Sequence, residues 1–130
     1  MAPRFETDTV NYLKAHGFEK ARRVVQKGSL DEGDVFVCEN MIVQCKGGHY
    51  AEDASDQQLR IWYGEMVQQC NNAGAEVGFL VVKRKGHGIV KAGSWWVIQA
   101  SDRMLVRFLL GEYVEYLHGI GWTAEGYAAP

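Results

Sequence analysis

The sequence predicts an α/β domain in which helices flank a mixed β-sheet, and three observations lead to that prediction. The chain has 130 residues, of which 47% are hydrophobic and 23% charged, as in a soluble globular protein with one buried core. Segments with helical and with strand periodicity alternate along the chain, and a hairpin pattern comes early among them. No glycine-rich phosphate loop follows a predicted strand, which argues against a doubly wound nucleotide fold.

The composition also indicates where the protein acts. No apolar stretch approaches the roughly 20 residues that span a bilayer. The first residues, Met1 to Glu6, lack the apolar core of a signal peptide. Three cysteines without a CxxC pair fit free thiols better than disulfides or a zinc site. We therefore expect no membrane partner and a cytoplasmic location, in a prokaryotic cell or a phage-infected host.

The first third of the chain predicts one helix and an extended segment. A helix is expected over 4–16, because hydrophobic residues recur there at helical spacing, and Gly17 supplies its left-handed stop. An extended segment should follow over 20–26. A polar, glycine-bounded loop over 27–33 then leads to the hairpin.

Two short strands make up that hairpin. Residues 34–38 and 41–46 are rich in β-branched and other apolar residues, and Glu39-Asn40 is the two-residue turn between them. The second strand should end at Gly47-Gly48.

Five further segments are predicted after the hairpin: a helix over 55–72, a strand over 77–82, a strand over 94–99, a helix over 101–110 that continues through 112–118, and a loose tail over 119–130. The first of these helices begins with a capping box, Ser55 followed by Gln58. The strand over 77–82 is apolar throughout, which is typical of a central strand covered on both faces. Ser101 is the expected N-cap of the later helix. One domain over 1–130 results, with a core of about 4–110.

Polar residues of the hairpin form the most informative pattern. Asp34 opens the first strand. Gln44 and Lys46 lie near the end of the second, on one face because side chains alternate along a strand. With the turn at residues 39–40, all three lie at the same end of the hairpin. Glu6, early in the first helix, is in a position to add a second carboxylate.

These residues suit Mg²⁺-dependent cleavage of a phosphodiester bond, with Mn²⁺ as a substitute metal. Since Mg²⁺ prefers oxygen ligands, the candidates are Asp34, the Gln44 amide oxygen and the Cys45 backbone carbonyl. Glu6 would position the metal or its waters. The metal would polarise a phosphate oxygen and lower the pKa of a bound water, and Lys46 would hold that water or stabilise the growing charge. The Cys45 side chain should point to the opposite face, into packing. In the alternative interpretation, the strand-end side chains are simply solvated.

Basic residues cluster in two stretches of a chain whose formal net charge is −2. The first, over 20–27, contains Arg22, Arg23 and Lys27, and the second covers 83–91. Together they indicate either one DNA-binding face or two solvated loops. Arg22 and Arg23 should point to opposite faces of the extended segment, where one contacts a phosphate or forms a surface salt bridge.

Aromatic residues near the end of the chain suggest a second contact surface. Trp95 and Trp96 should point to opposite faces of a strand, so that one is in the core. The other would pack in a dimer or stack on a base, and dimer packing is favoured because aromatic residues are enriched in interface cores. Four later residues would extend that interface or cover the sheet: Phe108, Leu109, Tyr113 and Tyr116.

A series of short motifs spans residues 4–85. In order, they are Arg4-Phe5-Glu6, Gly17-Phe18, Lys27-Gly28-Ser29, Gly33-Asp34-Val35, Val43-Gln44-Cys45-Lys46, Asp56-Gln57-Gln58-Leu59, Ala73-Gly74-Ala75 and the run 77–84. Their layout resembles the PD-(D/E)XK nuclease superfamily and, within it, is most similar to archaeal-type Holliday junction resolvases.

The resemblance implies a restriction-endonuclease-like fold, Mg²⁺-dependent cleavage of branched DNA and a homodimer that makes paired cuts. The residues on the family's active-site positions are Glu6, Asp34, Gln44 and Lys46. Ser29 matches a position associated with function, and the loop of Lys83, Arg84 and Lys85 would lie near the DNA backbone. Two opposed cuts need two active sites related by a two-fold axis. Because one chain of this size holds a single active site, the active form would be a homodimer.

Two residues depart from the family pattern. Asp34 follows a glycine where the family has proline, which changes only the local turn. Gln44 stands where the family usually has Glu or Asp, so the metal site loses one negative charge and divalent affinity should fall. Two rival functions follow. One is another nuclease of this superfamily, in repair, restriction or phage DNA processing, and the other is a DNA-binding module whose catalytic site has decayed.

Overall fold

A computed structural model describes residues 3–26 and 28–129. Its elements are helix α1 (Pro3–Ala15), strands β1 (Arg22–Arg23), β2 (Val35–Cys38) and β3 (Met41–Lys46), helices α2 (His49–Glu52) and α3 (Asp56–Ala73), strand β4 (Val77–Val82), a 3₁₀ helix (Ile89–Ser94), strands β5 (Trp96–Ala100) and β6 (Leu105–Leu109), helix α4 (Leu110–Gly119), and strands β7 (Trp122–Thr123) and β8 (Gly126–Tyr127).

Six strands form one mixed sheet in the order β1-β2-β3-β4-β5-β6. Strands β3 and β4 run parallel, joined by the crossover through α3, and every other neighbouring pair is antiparallel. Helices cover this sheet, so the predicted α/β class with a mixed sheet and flanking helices is confirmed. Because β3 and β4 are parallel, their carboxyl ends meet at one edge of the sheet, where Lys83 N–H donates to the Lys46 carbonyl over 3.0 Å.

The predicted hairpin is confirmed with its turn at Glu39-Asn40. Val35 pairs with Val43, and Cys38 pairs with Met41 after an irregularity in register. Asn40 adopts a left-handed φ of 71°, a conformation that asparagine tolerates better than most residues. Helix α3 also begins as expected, since the Ser55 hydroxyl oxygen accepts a hydrogen bond from the Gln58 N–H at 3.1 Å.

The two faces of the sheet are packed by different helices. On one face, which we call the α1/α4 face, a large apolar cluster joins side chains of α1 and α4 to Val43, Phe79 and Val97 of the sheet. On the other, the α3 face, two smaller clusters pack against Leu80 and against Ile42. Strand β4 is thus covered on both sides, as its apolar run predicts.

The second half of the chain corrects two predictions. Residues 105–109, expected inside a helix over 101–110, form strand β6 paired with β5. Ser101 is the corner of that hairpin and not an N-cap, because its backbone N–H donates to the Met104 carbonyl and its hydroxyl accepts from the Met104 N–H. The tail expected to be loose over 119–130 folds back as the β7–β8 hairpin, with Trp122 buried.

The two tryptophans behave as alternation along a strand requires. Trp95 is buried in the large cluster of the α1/α4 face, and Trp96 packs at the edge of a cluster on the α3 face. Tyr113 is core, whereas Phe108 and Tyr116 remain exposed. Within the described ranges, no helix is both long and apolar enough to cross a membrane.

Candidate active site

Asp34 lies immediately before β2, and the backbone of β3 holds it in place. Its N–H donates to the Val43 carbonyl at 3.1 Å, and its Oδ2 accepts from the Cys45 N–H at 2.8 Å. Asp34 directly precedes Val35, and Gln44 directly follows Val43, the residue with which Val35 pairs. The structure therefore brings Asp34 and Gln44 to the same end of the hairpin, as predicted, with Lys46 two residues further along β3.

Burial of the Asp34 carboxyl group raises its pKa to about 6, from an ordinary value of 3.8. The Cys45 N–H opposes this shift by stabilising the carboxylate, while the negative charges of Glu6 and Asp31 add to it and the positive charge of Lys46 opposes it. The main cause is therefore the loss of solvent around the carboxyl group, which disfavours its charged form. A cation bound there would stabilise that charged form.

Gln44 is 4% exposed and points to the α3 face. Its Nε2 donates to Glu65 Oε1 at 3.5 Å, a long hydrogen bond. Its Oε1 is buried and has no hydrogen-bond partner among the described residues. An unpartnered buried amide oxygen costs about 1–3 kcal/mol, and this atom keeps its capacity to accept a hydrogen bond or to coordinate a cation. The donor set of a carboxylate and an amide oxygen fits Mg²⁺.

Lys46 is half-buried beside helix α3. Its Nζ lies 3.9 Å from Glu65 Oε1 and 5.3 Å from the centre of the Trp62 ring. The ring and the carboxylate together hold the ammonium group at the end of β3. Lys46 and Gln44 therefore share one face, as strand alternation predicts.

Glu6 is close enough to Asp34 to raise its pKa. However, Glu6 Oε2 accepts a hydrogen bond from Arg23 at 2.9 Å, in an ion pair that is partly shielded from solvent. The carboxylate predicted as the second negative group of the site is thus neutralised by an arginine. This pair also decides the open question about Arg23, which forms a salt bridge within the chain.

Cys45 points to the opposite face, as predicted, and its side chain lies in the large cluster of the α1/α4 face. Burial raises the pKa of the thiol well above its usual range, with the negative charge of Asp34 adding to the shift. A thiol with this pKa stays protonated and is not a nucleophile. The use of its backbone carbonyl as a metal ligand remains a prediction.

Glu65 is the residue that the sequence analysis missed. It lies on α3, three residues after Trp62 and directly before Met66, both of which are buried. Its carboxylate reaches both Gln44 and Lys46. The available signal was a polar residue at the border of the apolar stripe of α3, the helix that packs on β3.

Five of the seven predicted DNA-binding residues have partners within the chain, Arg23 among them. Arg22 stacks over the Phe36 ring, and Arg84 stacks over the Trp96 ring, each at 4.4 Å. Ion pairs join Lys83 to Glu52 at 2.7 Å and Lys85 to Asp53 at 3.8 Å. Ser29 is exposed, and Lys27 lies outside the described residues. Of these cations, Lys83 and Arg84 follow β4 directly and so lie at the edge of the sheet that carries Lys46.

Over residues 3–26 and 28–129, no group of three or more His, Cys, Asp and Glu side chains is arranged to hold a metal ion. The ligand set predicted from the sequence is of a different kind, because it includes the Gln44 amide and the Cys45 backbone carbonyl beside carboxylates. A groove of about 680 Å³ lies at the opposite end of the hairpin, around Asn40 and Gly74. It contains Arg22 but none of the four candidate catalytic residues.

No protein family, curated protein or solved structure matches the chain.

Proposed function

We propose that this protein is a metal-dependent DNA endonuclease that hydrolyses phosphodiester bonds. The observation that carries the proposal is the buried, unpartnered Oε1 of Gln44, at the same end of the hairpin as the half-buried carboxylate of Asp34 and the ammonium group of Lys46. Folding leaves the Gln44 oxygen without a partner and removes solvent from the Asp34 carboxylate, and both changes cost stability. Strongly perturbed pKa values, such as that of Asp34, cluster at functional sites.

Asp34, the Gln44 amide oxygen and the Cys45 carbonyl would hold the metal, Mg²⁺ or Mn²⁺. When bound, the ion would polarise a phosphate oxygen and lower the pKa of a coordinated water. The Cys45 N–H fixes one oxygen of Asp34 and leaves the other free to bind. Lys46 donates to the phosphate oxygen on which negative charge grows, or holds the attacking water. Its ammonium group is kept in place by Glu65 and Trp62.

Branched DNA is the proposed substrate, with a Holliday junction as the specific case and a homodimer as the active form. The supporting feature is the order of helix, hairpin, helix and strand, in which the first helix carries Glu6 and the hairpin region carries Asp34, Gln44 and Lys46. We propose that this order belongs to a restriction-endonuclease-like fold. Exposed apolar side chains around β6 support a dimer contact: Met104, Phe108 and Tyr116. Buried free thiols at Cys38, Cys45 and Cys70 support a reducing, cytoplasmic location.

The test is a nicking assay on a synthetic four-way junction and on a linear duplex of the same sequence. Wild-type protein and Asp34→Asn are compared in Mg²⁺, in Mn²⁺ and in chelator. We expect cleavage of the junction by wild type alone, at millimolar metal, a range typical of weak Mg²⁺ binding. Equal cutting by both proteins would remove Asp34 from the mechanism.

Two other outcomes identify the rival functions. Equal cleavage of the duplex and the junction would indicate a nuclease of repair, restriction or phage DNA processing. Retained DNA binding without cleavage in either metal would indicate a non-enzymatic DNA-binding module, which the neutral Gln44 favours.

A further inference from the structure

Strand β6 is an edge of the six-stranded sheet. Within the described part of the chain it pairs with β5 alone, in an unbroken register over all of its residues. Directly after this pairing, the Leu110 N–H donates to the Trp95 carbonyl at 2.8 Å and so faces β5. Because successive N–H groups alternate between the two sides of a strand, those of Leu105, Arg107 and Leu109 face the open edge.

The opposite edge of the sheet is protected in a way that β6 is not. Sheets shield an edge with a short strand, charged residues, proline or a bulge, because an open edge pairs readily with another chain. Strand β1 is two residues long and consists of Arg22 and Arg23. Strand β6 is five residues long, contains no proline and no register shift, and is apolar except at Arg107. The edge that remains available for pairing is therefore β6.

Apolar side chains border this edge on the α1/α4 face. Phe108 lies on that face, since its ring centre is 5.6 Å from that of Tyr113 on α4. Met104 shares the face by alternation, and the Tyr116 ring lies 6.0 Å from the Tyr113 ring. Phe108, Met104 and Tyr116 are 39%, 61% and 58% exposed. The edge thus offers apolar area as well as hydrogen-bonding groups, and contiguous exposed apolar area is typical of a contact surface.

We infer that β6 pairs antiparallel with β6 of a second copy of the chain, about a two-fold axis at Arg107, so that two six-stranded sheets join into one. This inference rests on the homodimer of the proposed function and adds the surface through which it forms. In this register Arg107 and the partner's Arg107 exchange two hydrogen bonds, and Leu105 lies opposite the partner's Leu109. The edge is complementary to itself, as a closed two-fold contact requires.

The charges at the axis are complementary too. The two Arg107 side chains lie on the α3 face, because Arg107 pairs with Ile98, and two like charges directly opposite would repel each other. However, each guanidinium group donates to Asp56 Oδ1 at 2.9 Å, and the Asp56 side chain is 72% exposed. The second oxygen of Asp56 is therefore accessible to the partner's Arg107, and two arginines and two aspartates alternate around the axis.

This pairing places both candidate sites on one side of the joined sheet. The two-fold axis of an antiparallel strand pair is perpendicular to the sheet, so the two α3 faces, which carry Gln44 and Lys46, lie on the same side. Three strand intervals separate β3 from β6 in each subunit, and one more crosses the axis. At about 4.8 Å for each interval, the two β3 strands lie about 34 Å apart, and their carboxyl ends point in opposite directions. Two sites in this relation suit paired cuts in two opposed strands.

The experiment measures self-association without DNA or metal, by sedimentation velocity over a range of protein concentrations. Wild type is compared with Arg107→Pro and Arg107→Ala. Proline at position 107 removes the N–H at the axis and leaves the pairing with β5 in place, because that N–H faces away from β5. Alanine removes the ion pair with Asp56 and keeps the N–H, so the two variants separate backbone pairing from charge.

Arg23→Pro on β1 is the matched control. The Val24 N–H donates to the Asp34 carbonyl on the neighbouring strand, so the Arg23 N–H also faces away from its neighbour. The Arg23 side chain likewise forms an ion pair within the chain, with Glu6. This variant therefore repeats the change made at Arg107 on the other edge of the sheet.

We expect wild type to sediment as a dimer, at twice the 14.6 kDa mass of one chain. Arg107→Pro should weaken dimerisation by at least about tenfold, because both hydrogen bonds at the axis are lost. Arg107→Ala should weaken it by about threefold, as expected for an exposed ion pair. Arg23→Pro should leave it unchanged. Thermal unfolding verifies that each variant is folded.

A second pair of variants tests the apolar border of the edge and serves if Arg107→Pro does not fold. Phe108→Asp is compared with Ile61→Asp. Ile61 lies on α3 and is 51% exposed, so each variant places a carboxylate at an exposed apolar position. Only Phe108→Asp should dissociate the dimer, because only Phe108 lies beside the axis.

The outcomes distinguish this inference from the proposed function. A wild type that is monomeric at every concentration and still cuts a junction would overturn the interface and leave the nuclease in place. A dimer that neither Arg107→Pro nor Phe108→Asp weakens would also overturn it, since the contact would lie elsewhere. Equal weakening by Arg107→Pro and Arg23→Pro would contradict the two-fold axis, because the two edges would then pair with each other. A dimer that only the β6 variants dissociate, in a protein that cuts no DNA, would support the interface and remove only the nuclease function.

Discussion

The two faces of the sheet differ in how continuously their apolar side chains pack. The α1/α4 face carries one continuous apolar cluster that runs from Phe5 to Trp122. The α3 face carries two separate apolar clusters, one around Leu80 and Trp62 and one around Ile42 and Met66. Along β3, Gln44 and Lys46 follow Ile42 on this second face, so polar side chains take the place of a continuous core.

This difference indicates that the α3 face contributes less to stability than the α1/α4 face. Burying apolar surface is the main driving force for folding, and the α1/α4 face uses it without interruption. On the α3 face, the buried amides of Gln44 and Gln69 each leave one oxygen without a partner among the described residues. A sheet with one stabilising face and one interrupted face can hold a reactive site without unfolding.

The largest effect should come from Asp34→Asn, which removes the only anion on the strand side of the site. We expect it to lower junction cleavage by about 10³-fold, because the metal loses its main ligand. The same variant should stabilise the metal-free protein by about 2 kcal/mol at pH 8, since the buried carboxylate no longer has to be charged. Nicking assays and chemical denaturation measure the two effects.

The stability gain has a defined pH dependence. The folded protein holds the Asp34 proton up to a pKa of about 6, while the unfolded chain releases it near 3.8. Between these values the folded state binds more protons, so the unfolding free energy of wild type falls as pH rises and levels off above about 6. Asp34→Asn should lack this decline and match wild type near pH 4. An advantage for Asp34→Asn that is the same at pH 4 and pH 8 would contradict the buried-carboxylate explanation.

A matched pair of leucines tests the contrast between the faces. Leu13 on α1 and Leu59 on α3 are both nearly inaccessible to solvent. We expect Leu13→Ala to cost about 4 kcal/mol of unfolding free energy and Leu59→Ala about 3 kcal/mol, because a cavity in the continuous cluster relaxes less. Urea denaturation of both variants provides the comparison. A larger loss for Leu59→Ala would show that the α3 face is the main core.

Local sequence signals were sufficient for the elements whose ends they mark. The turn residue Asn40 and the cap residue Ser55 adopt the conformations expected of them. Strand β6 was missed for a physical reason. Leu105, Phe108 and Leu109 have helical spacing, but pairing with β5 overrides that local preference. Ser101 added to the error, because a serine oxygen that accepts from the N–H three residues later occurs both at a helix N-cap and in this hairpin corner.

The candidate site shows a similar division. Strand alternation and the hairpin register were enough to place Asp34, Gln44 and Lys46 at one end of the hairpin, with Gln44 and Lys46 on one face. Glu65 could not be found in the same way, because it lies on α3 and its distance from Gln44 depends on how the helix is rotated against the sheet. The Glu6–Arg23 ion pair likewise depends on the position of α1 over β1. The positions of Glu65 and of the Glu6–Arg23 pair are set by contacts between elements that lie far apart in the sequence.

The Gln44→Met variant tests whether the polar residue that interrupts the apolar packing of the α3 face lowers the unfolding free energy. Methionine has a similar shape, and it removes both the unpartnered oxygen and the long hydrogen bond to Glu65. We expect the metal-free protein to gain about 1–2 kcal/mol in unfolding free energy and to lose Mn²⁺ binding. Thermal unfolding with and without Mn²⁺ measures both properties. A destabilised variant would show that Gln44 is structural, and the contrast between the faces would lose its functional meaning.

The smallest effect concerns the side from which DNA approaches. Arg84 stacks over Trp96, which packs at the edge of a cluster on the α3 face, while Lys14 is exposed in the last turn of α1. In an Asp34→Asn background that does not cut, Arg84→Ala should weaken junction binding by about threefold to fivefold and reduce the salt dependence by about one phosphate contact. Lys14→Ala should change neither, because DNA that reaches Asp34 and Lys46 from the α3 side does not extend to the end of α1. Fluorescence anisotropy at several salt concentrations measures the junction affinity of both variants. An equal loss of affinity in the two would contradict the proposal that DNA binds from the α3 side.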